Sequence, residues 1–213
     1  MKPLFKAVLF DLDDTLVNAA DHILGGFNYA LSQQGFPQIT ENDLSKKAGR
    51  PLHSCYQMFA PGGDLEKFVA DHREFQLQNM RLVKDFDGMR ETLGELGKNG
   101  VKIGIITARY RPTTELIVKQ HRLDEYVGAV VCGDDFPEGK PHPRPCLEAA
   151  KKLGVEAKNC LVVGDGCSDV MSGKAAGAKT CRALYGYGGR APCEAKADFE
   201  ITSIKQVLKI VFQ

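Results

Sequence analysis

What the chain lacks narrows its class before any motif is read. No apolar run comes near the roughly 18 residues a membrane helix needs, so no membrane span is expected. Neither sign of charge prevails: the formal net charge is +1, which gives no electrostatic argument for a nucleic-acid or membrane partner. The seven cysteines form no CxxC pair and are odd in number, in a chain long enough to fold without covalent staples. Reduced, mostly structural thiols are therefore expected, with Cys167 packing as a small core side chain. No apolar h-region with a small-residue cleavage site opens the sequence, so no secretory signal is read and a cytoplasmic location is expected. Internal repeats and low-complexity tracts are absent too.

What is present is ordinary in bulk and specific in pattern. Hydrophobic residues at 43% and charged residues at 26% fit a soluble globular protein. A length of 213 residues exceeds the usual domain of about 100–150, so one domain with a sizeable insertion, or two domains, is expected. The apolar run Ala7-Val8-Leu9-Phe10 leads straight into Asp11-Leu12-Asp13-Asp14-Thr15-Leu16. Side chains alternate along an extended segment, so Asp11 and Asp13 leave it on the same side. Standing alone, the pair also fits a solvated strand-to-loop exit.

Ile23, Phe27, Ala30 and Leu31 recur at helical spacing, as do Leu65, Phe68, Val69, His72 and Phe75. Residues 17–84 thus read as an all-helical insert, broken at Ala48-Gly49-Arg50-Pro51 and at Pro61-Gly62-Gly63, with Asp64 as an N-cap. Beyond residue 85 helices and short apolar runs alternate: strands at 101–106, 128–132, 160–163, 179–184 and 199–201, with a last helix over 203–211. Ser168 is expected to cap the helix that ends near Gly177. Nearly continuous apolar strands between helices predict an α/β fold, a doubly wound parallel sheet with a Rossmann-like core and an inserted helical cap. The core takes residues 1–16 and 85–213, the cap 17–84.

In such a sheet ligands bind beyond the carboxyl ends of the strands. Asp11, Thr107 and Asp165 each follow a predicted strand, and Lys140 lies in a loop after another, within Gly139-Lys140-Pro141-His142-Pro143. Asp11, Asp165 and Asp169 offer hard oxygen ligands for Mg²⁺, and Asp165 and Asp169 are four residues apart around a helix start. Acids gathered beside an anionic phosphate would repel it without that cation and Lys140. Thr107 adds a hydroxyl donor. The composition is that of a phosphoryl-transfer site.

These stretches resemble the four motifs of the haloacid-dehalogenase-like phosphohydrolase superfamily, in order: Asp11-Leu12-Asp13-Asp14-Thr15, Thr107 after Ile105-Ile106, Lys140 in Lys-Pro-His-Pro, and Gly164-Asp165-Gly166-Cys167-Ser168-Asp169. The likeness covers essentially the whole chain, since the family commonly inserts a helical cap just after its first motif. It looks nearest to the phosphoglycolate phosphatase and pyrophosphatase branch, partly through Leu184-Tyr185-Gly186-Tyr187-Gly188 and Ala197-Asp198-Phe199. Asp14 departs from the pattern, in which Gly is more frequent. The resemblance implies Asp11 as nucleophile, Asp13 as general acid and base with its carbonyl on Mg²⁺, Lys140 and Thr107 holding the phosphoryl group, and Asp165 and Asp169 on the metal. Asp169 reaches the ion directly or through water.

Arg50, His53 and Arg109 are the candidates for the substrate's far end, each also readable as a surface cation. The expected partner is a small phosphorylated metabolite, with monomer and homodimer both open. Asp13 disfavours carbon–halogen cleavage, which needs no second acid. Three alternatives stay open: a phosphosugar mutase, recognised by isomerisation without phosphate release; a Schiff-base phosphonate-cleaving variant through Lys46 or Lys47; and a non-catalytic phosphate-responsive module.

Overall fold

The computed structural model describes residues 2–45 and 52–212. In chain order, β1 (Ala7–Phe10) and β2 (Val17–Asn18) precede α1 (Ala20–Gln33), α2 (Glu41–Ser45), α3 (Leu52–Phe59), α4 (Leu65–Gln78) and β3 (Lys84–Asp85). Helices and strands then alternate through α5 (Met89–Lys98), β4 (Lys102–Ile106), α6 (Arg111–Gln120), β5 (Ala129–Val131), α7 (Arg144–Lys152), β6 (Cys160–Gly164), α8 (Cys167–Ala175) and β7 (Lys179–Ala183). β8 (Phe199–Ile201) and α9 (Val207–Val211) close the fold.

All four residues of β1 are buried, because both of its faces are covered. Val8 and Phe10 join a cluster with Leu93 and Leu96 of α5, Ile117 of α6 and Val207 of α9. Ala7 and Leu9 point the other way, toward Cys146, Ala149 and Ala150 of α7. That period of two is what the pleat demands of a central strand.

Six strands form one parallel sheet in the order β5-β4-β1-β6-β7-β8, with Leu9 facing Gly104 on one side and Val162 on the other. The chain steps outward from β1 to β4 and β5, then crosses to β6 on the opposite flank and continues to β7 and β8. Strand order therefore reverses at β1, which opens a crevice beyond its carboxyl end. Asp11 is the next residue.

Helices α1 to α4 bury a separate cluster that includes Phe27, Leu31, Tyr56, Phe68 and Val69. The rings of Tyr56 and Phe68 stack with centroids 4.7 Å apart, and the Tyr56 hydroxyl lies 2.9 Å from His72 Nδ1. Asp64 caps α4 as the sequence predicts, its side chain accepting from the Lys67 N–H at 3.1 Å.

The insert is not helical throughout. Val17 faces Asp85 and Asn18 faces Lys84 in an antiparallel ribbon at the two ends of the helical block. Strands of two residues show no period, so pattern reading passes over them. The last helix is also shorter than 203–211: a 3₁₀ turn at Ile204–Gln206 precedes α9. Among the described residues no helix is long and apolar enough to cross a membrane.

Candidate active site

Lys140 ties the carboxyl ends of three strands together. Its Nζ donates to Asp11 Oδ1 and to Asp169 Oδ1, each at 2.6 Å, and to the Ile106 carbonyl at 3.2 Å. Burial opposes its charge, but Asp11 and Asp169 outweigh that and hold the ammonium above its usual range. Asp11, Asp165 and Asp169 each bring a carboxylate oxygen within 4.8 Å of the others. Burial, with Asp169 and Asp13 adding to it, pushes the Asp11 carboxyl up to about 7 against the pull of Lys140. Asp165 is raised as well, by burial and then by Asp11, Asp14 and Asp169.

Three buried acids around one ammonium carry more negative charge than the protein balances. Their donors are hard oxygens, and Asp11 and Asp165 each keep one oxygen outside the hydrogen bonds to Lys140 and Gly188. This donor set fits a divalent cation of the Mg²⁺ type.

Thr107 is buried directly after β4, its Oγ1 accepting from the Arg109 N–H at 3.1 Å. Gly166 is the N-cap of α8 and donates its N–H to Asp169 Oδ2 at 3.0 Å, so Ser168 falls inside the helix rather than capping it. Gly164 permits that turn: a Cβ there would sit 2.3 Å from Asp169 Cγ.

Asp13 lines the same cavity as Asp11 but is held by a different cation. Arg109 donates to it through Nε at 3.0 Å and through Nη2 at 2.7 Å. The Arg109 Nη2 also lies 3.4 Å from His22 Nδ1, while His22 Nε2 donates to the Gln76 carbonyl at 2.9 Å. Burial and Arg109 hold His22 below its usual pKa, so the neutral ring accepts on one nitrogen and donates on the other. A wire of hydrogen bonds thus runs from α4 through α1 to Asp13. His53 stands half exposed at the cavity rim, 3.3 Å from Glu66. Arg50 lies outside the described residues, as do Lys46 and Lys47.

The expectation of reduced thiols is overturned at Cys167. Cys167 is joined to Cys193 by a disulfide across 26 residues of sequence, while Cys132, Cys146, Cys160 and Cys181 are free and buried. The partner was invisible because it comes from a loop that folds back after β7. That loop is pinned along its length. The Tyr185 hydroxyl donates to the Thr15 carbonyl at 2.8 Å, Gly188 N–H donates to Asp165 Oδ2 at 2.8 Å, and Arg182 Nη2 donates to the Gly188 carbonyl at 3.0 Å. Gly186 passes so close that a Cβ would lie 2.4 Å from the Asp14 carbonyl. Tyr187 packs against the cluster of α1 to α4 and lines the cavity. The sequence pointed to Tyr185-Gly186-Tyr187 only through resemblance, without a role. Arg73 of α4, also on the cavity wall, had no sequence signal beyond its charge.

Asp14 occupies the left-handed region at φ 58° and is 2% exposed. Its Oδ2 has no hydrogen-bond partner among the described residues, and burial followed by Asp13 and Asp11 pushes its carboxyl up to about 8.

Comparison with known proteins agrees with this geometry. The family model for haloacid dehalogenase-like hydrolases matches residues 8–183. Pyrophosphatase PpaX of Bacillus cereus is 34% identical over 208 residues, covering 97% of this chain and 96% of its own. The crystal structure of a predicted phosphoglycolate phosphatase from Haemophilus somnus aligns with a TM-score of 0.84 at 25% identity, over 97% of this chain and 98% of that one. A haloacid dehalogenase-like hydrolase from Streptococcus pneumoniae, at 20% identity, shares the fold with a TM-score of 0.86 over 98% of this chain and 99% of its own. With the family model spanning most of its length and a full-length relative at that identity, the chain belongs to the haloacid dehalogenase-like hydrolases, among their phosphatases.

Proposed function

We propose that the chain is a Mg²⁺-dependent phosphohydrolase that acts on a small phosphorylated metabolite, of the phosphoglycolate or pyrophosphate kind, through an aspartyl-phosphate on Asp11. The observation that carries this reading is Lys140 Nζ held 2.6 Å from both Asp11 and Asp169, with Asp165 alongside, at the switch point of the sheet. The names of the Bacillus cereus and Haemophilus somnus relatives support the substrate class. Residues 17–84 would serve as the cap and the remainder as the catalytic core.

Asp11, Asp165 and Asp169, with the backbone carbonyl of Asp13, would hold the ion. When bound it would offset charge on the phosphoryl oxygens. A carboxylate oxygen of Asp11 would attack phosphorus while the bond to the leaving oxygen breaks, and Asp13 would protonate that oxygen. Asp13 would then take a proton from water as the water oxygen attacks phosphorus and releases Asp11. Lys140 and the Thr107 hydroxyl would steady the phosphoryl group during both displacements. Because Arg109 holds Asp13 on the cavity wall, that ion pair has to open for Asp13 to reach the leaving group.

Phosphate release from a panel of phosphorylated metabolites and pyrophosphate, with and without Mg²⁺, tests the reading. Asp11→Asn is expected to lower turnover by about a thousandfold or more. Activity that survives the substitution, or that needs no divalent ion, would overturn it. Isomerisation without phosphate release would identify a mutase instead.

A further inference from the structure

Among the described residues, two guanidinium groups on the cavity wall have donors with nothing to bind. Arg73, from α4, places its Cζ 4.0 Å from the centroid of the Tyr110 ring, and its Nε is buried without a hydrogen-bond partner. Among the described residues no carboxylate pairs with it. Arg109 commits Nε and Nη2 to Asp13 and leaves Nη1 buried and unpartnered. Both arginines line the cavity of about 290 Å³ that also holds Asp11 and Lys140.

A buried donor without an acceptor is costly, and a cation without a counter-charge more so. Stacking on Tyr110 fixes the plane of the Arg73 fork but supplies no acceptor. A guanidinium held in this way matches the two oxygens of a carboxylate or phosphate. We infer that Arg73, with Nη1 of Arg109, receives a second anionic group of the substrate, remote from the phosphoryl group that is transferred. Arg73 is on this account a specificity-determining residue, contributed by the helical block to a cavity whose chemistry sits on the sheet. The inference rests on the phosphatase reading above and deepens it, since Lys140 and the cation site account for only one anionic end.

The test compares phosphoglycolate and pyrophosphate, which carry a second anion as carboxylate or phosphate, with ethyl phosphate, whose far end is neutral. In the native protein kcat/KM is expected to favour the first two. Arg73→Met is expected to lower that preference by about tenfold, mainly through KM. Arg73→Lys, which keeps the charge without the fork, is expected to fall between the two. A native protein without the preference, or a preference unchanged in both variants, overturns the inference. A uniform loss across all three substrates leaves the preference unchanged and overturns it as well. Calorimetric binding of phosphoglycolate and ethyl phosphate to Asp11→Asn, with and without Arg73→Met, reads the same preference without turnover. If no substrate is hydrolysed, the phosphatase reading fails while this binding comparison still decides the role of Arg73.

Discussion

Asp14 shows how a single side chain can work against its own fold. An L-residue in the left-handed region carries about 1 kcal/mol or more of strain, and this one also buries a carboxyl oxygen with no partner. Asp14→Gly is expected to raise stability by about 1 kcal/mol in urea unfolding, after the added freedom of glycine in the unfolded chain is allowed for. His72 sets a pH dependence. Burial, then Arg109, His22 and Arg73, push its pKa down to about 3 from an ordinary 6.5. The unfolded chain therefore binds a proton that the folded one refuses, so stability is full above pH 6.5 and falls as pH drops from there toward 3. This group alone contributes a slope of about 1.4 kcal/mol per pH unit at most. Urea midpoints from pH 7 to pH 5 should show a shallower fall in His72→Gln than in the native chain. At this scale the residues legible in the sequence were those that follow an apolar run. Asp11, Thr107 and Asp165 could be placed because a strand end is a position that pattern reveals. Arg73 and Tyr187 could not, since their place on the cavity wall depends on how separate elements pack.

Among the elements, the loop after β7 carries the largest departure from expectation. It supplies Cys193 to the helix that begins at Cys167, and its Gly188 N–H holds one oxygen of Asp165. Closing 26 residues of sequence with a disulfide contributes about 3.5 kcal/mol in the chain-entropy account. Guanidinium unfolding with and without dithiothreitol should show a loss of that order, and Cys193→Ser should unfold alike in both conditions. The alternation of β1 and β4 through β7 with helices was legible because short apolar runs and helical spacings succeed one another, with glycine marking several junctions, at Gly100, Gly128, Gly154 and Gly177. The disulfide was not, because nothing in the spacing of Cys167 and Cys193 says that the loop returns. Nor was the ribbon of β2 and β3, whose two-residue strands are fixed by each other rather than by local preference. In the helical block, Phe27 touches Tyr56, Phe59 and His72. Phe27→Ala is expected to cost about 3–5 kcal/mol by thermal or urea unfolding, the range for a large aromatic removed from a packed core.

In the molecule as a whole, the proposed chemistry and the proposed selection draw on different parts of the chain. The sheet presents Asp11, Lys140, Asp165 and Asp169, while α1 and α4 reach the same cavity with Phe27, Arg73 and Gln76. Doubly wound order was predictable from the run of elements, and with it the crevice at β1; which side chains of the helical block would line that crevice was not. The antiparallel pairing of Val17 with Asp85 adds one consequence. The chain leaves the sheet and returns to it at neighbouring rungs of one short ladder, so everything between is a detour that begins and ends at the same spot. Such a detour can be exchanged as a cassette: a different helical block grafted between Asn18 and Lys84 need only bridge one strand spacing to leave β1 and its acids undisturbed. On the proposed roles, selectivity and catalysis would then be inherited separately, and recombination at this seam would give a lineage new substrates while the chemistry stays as it was.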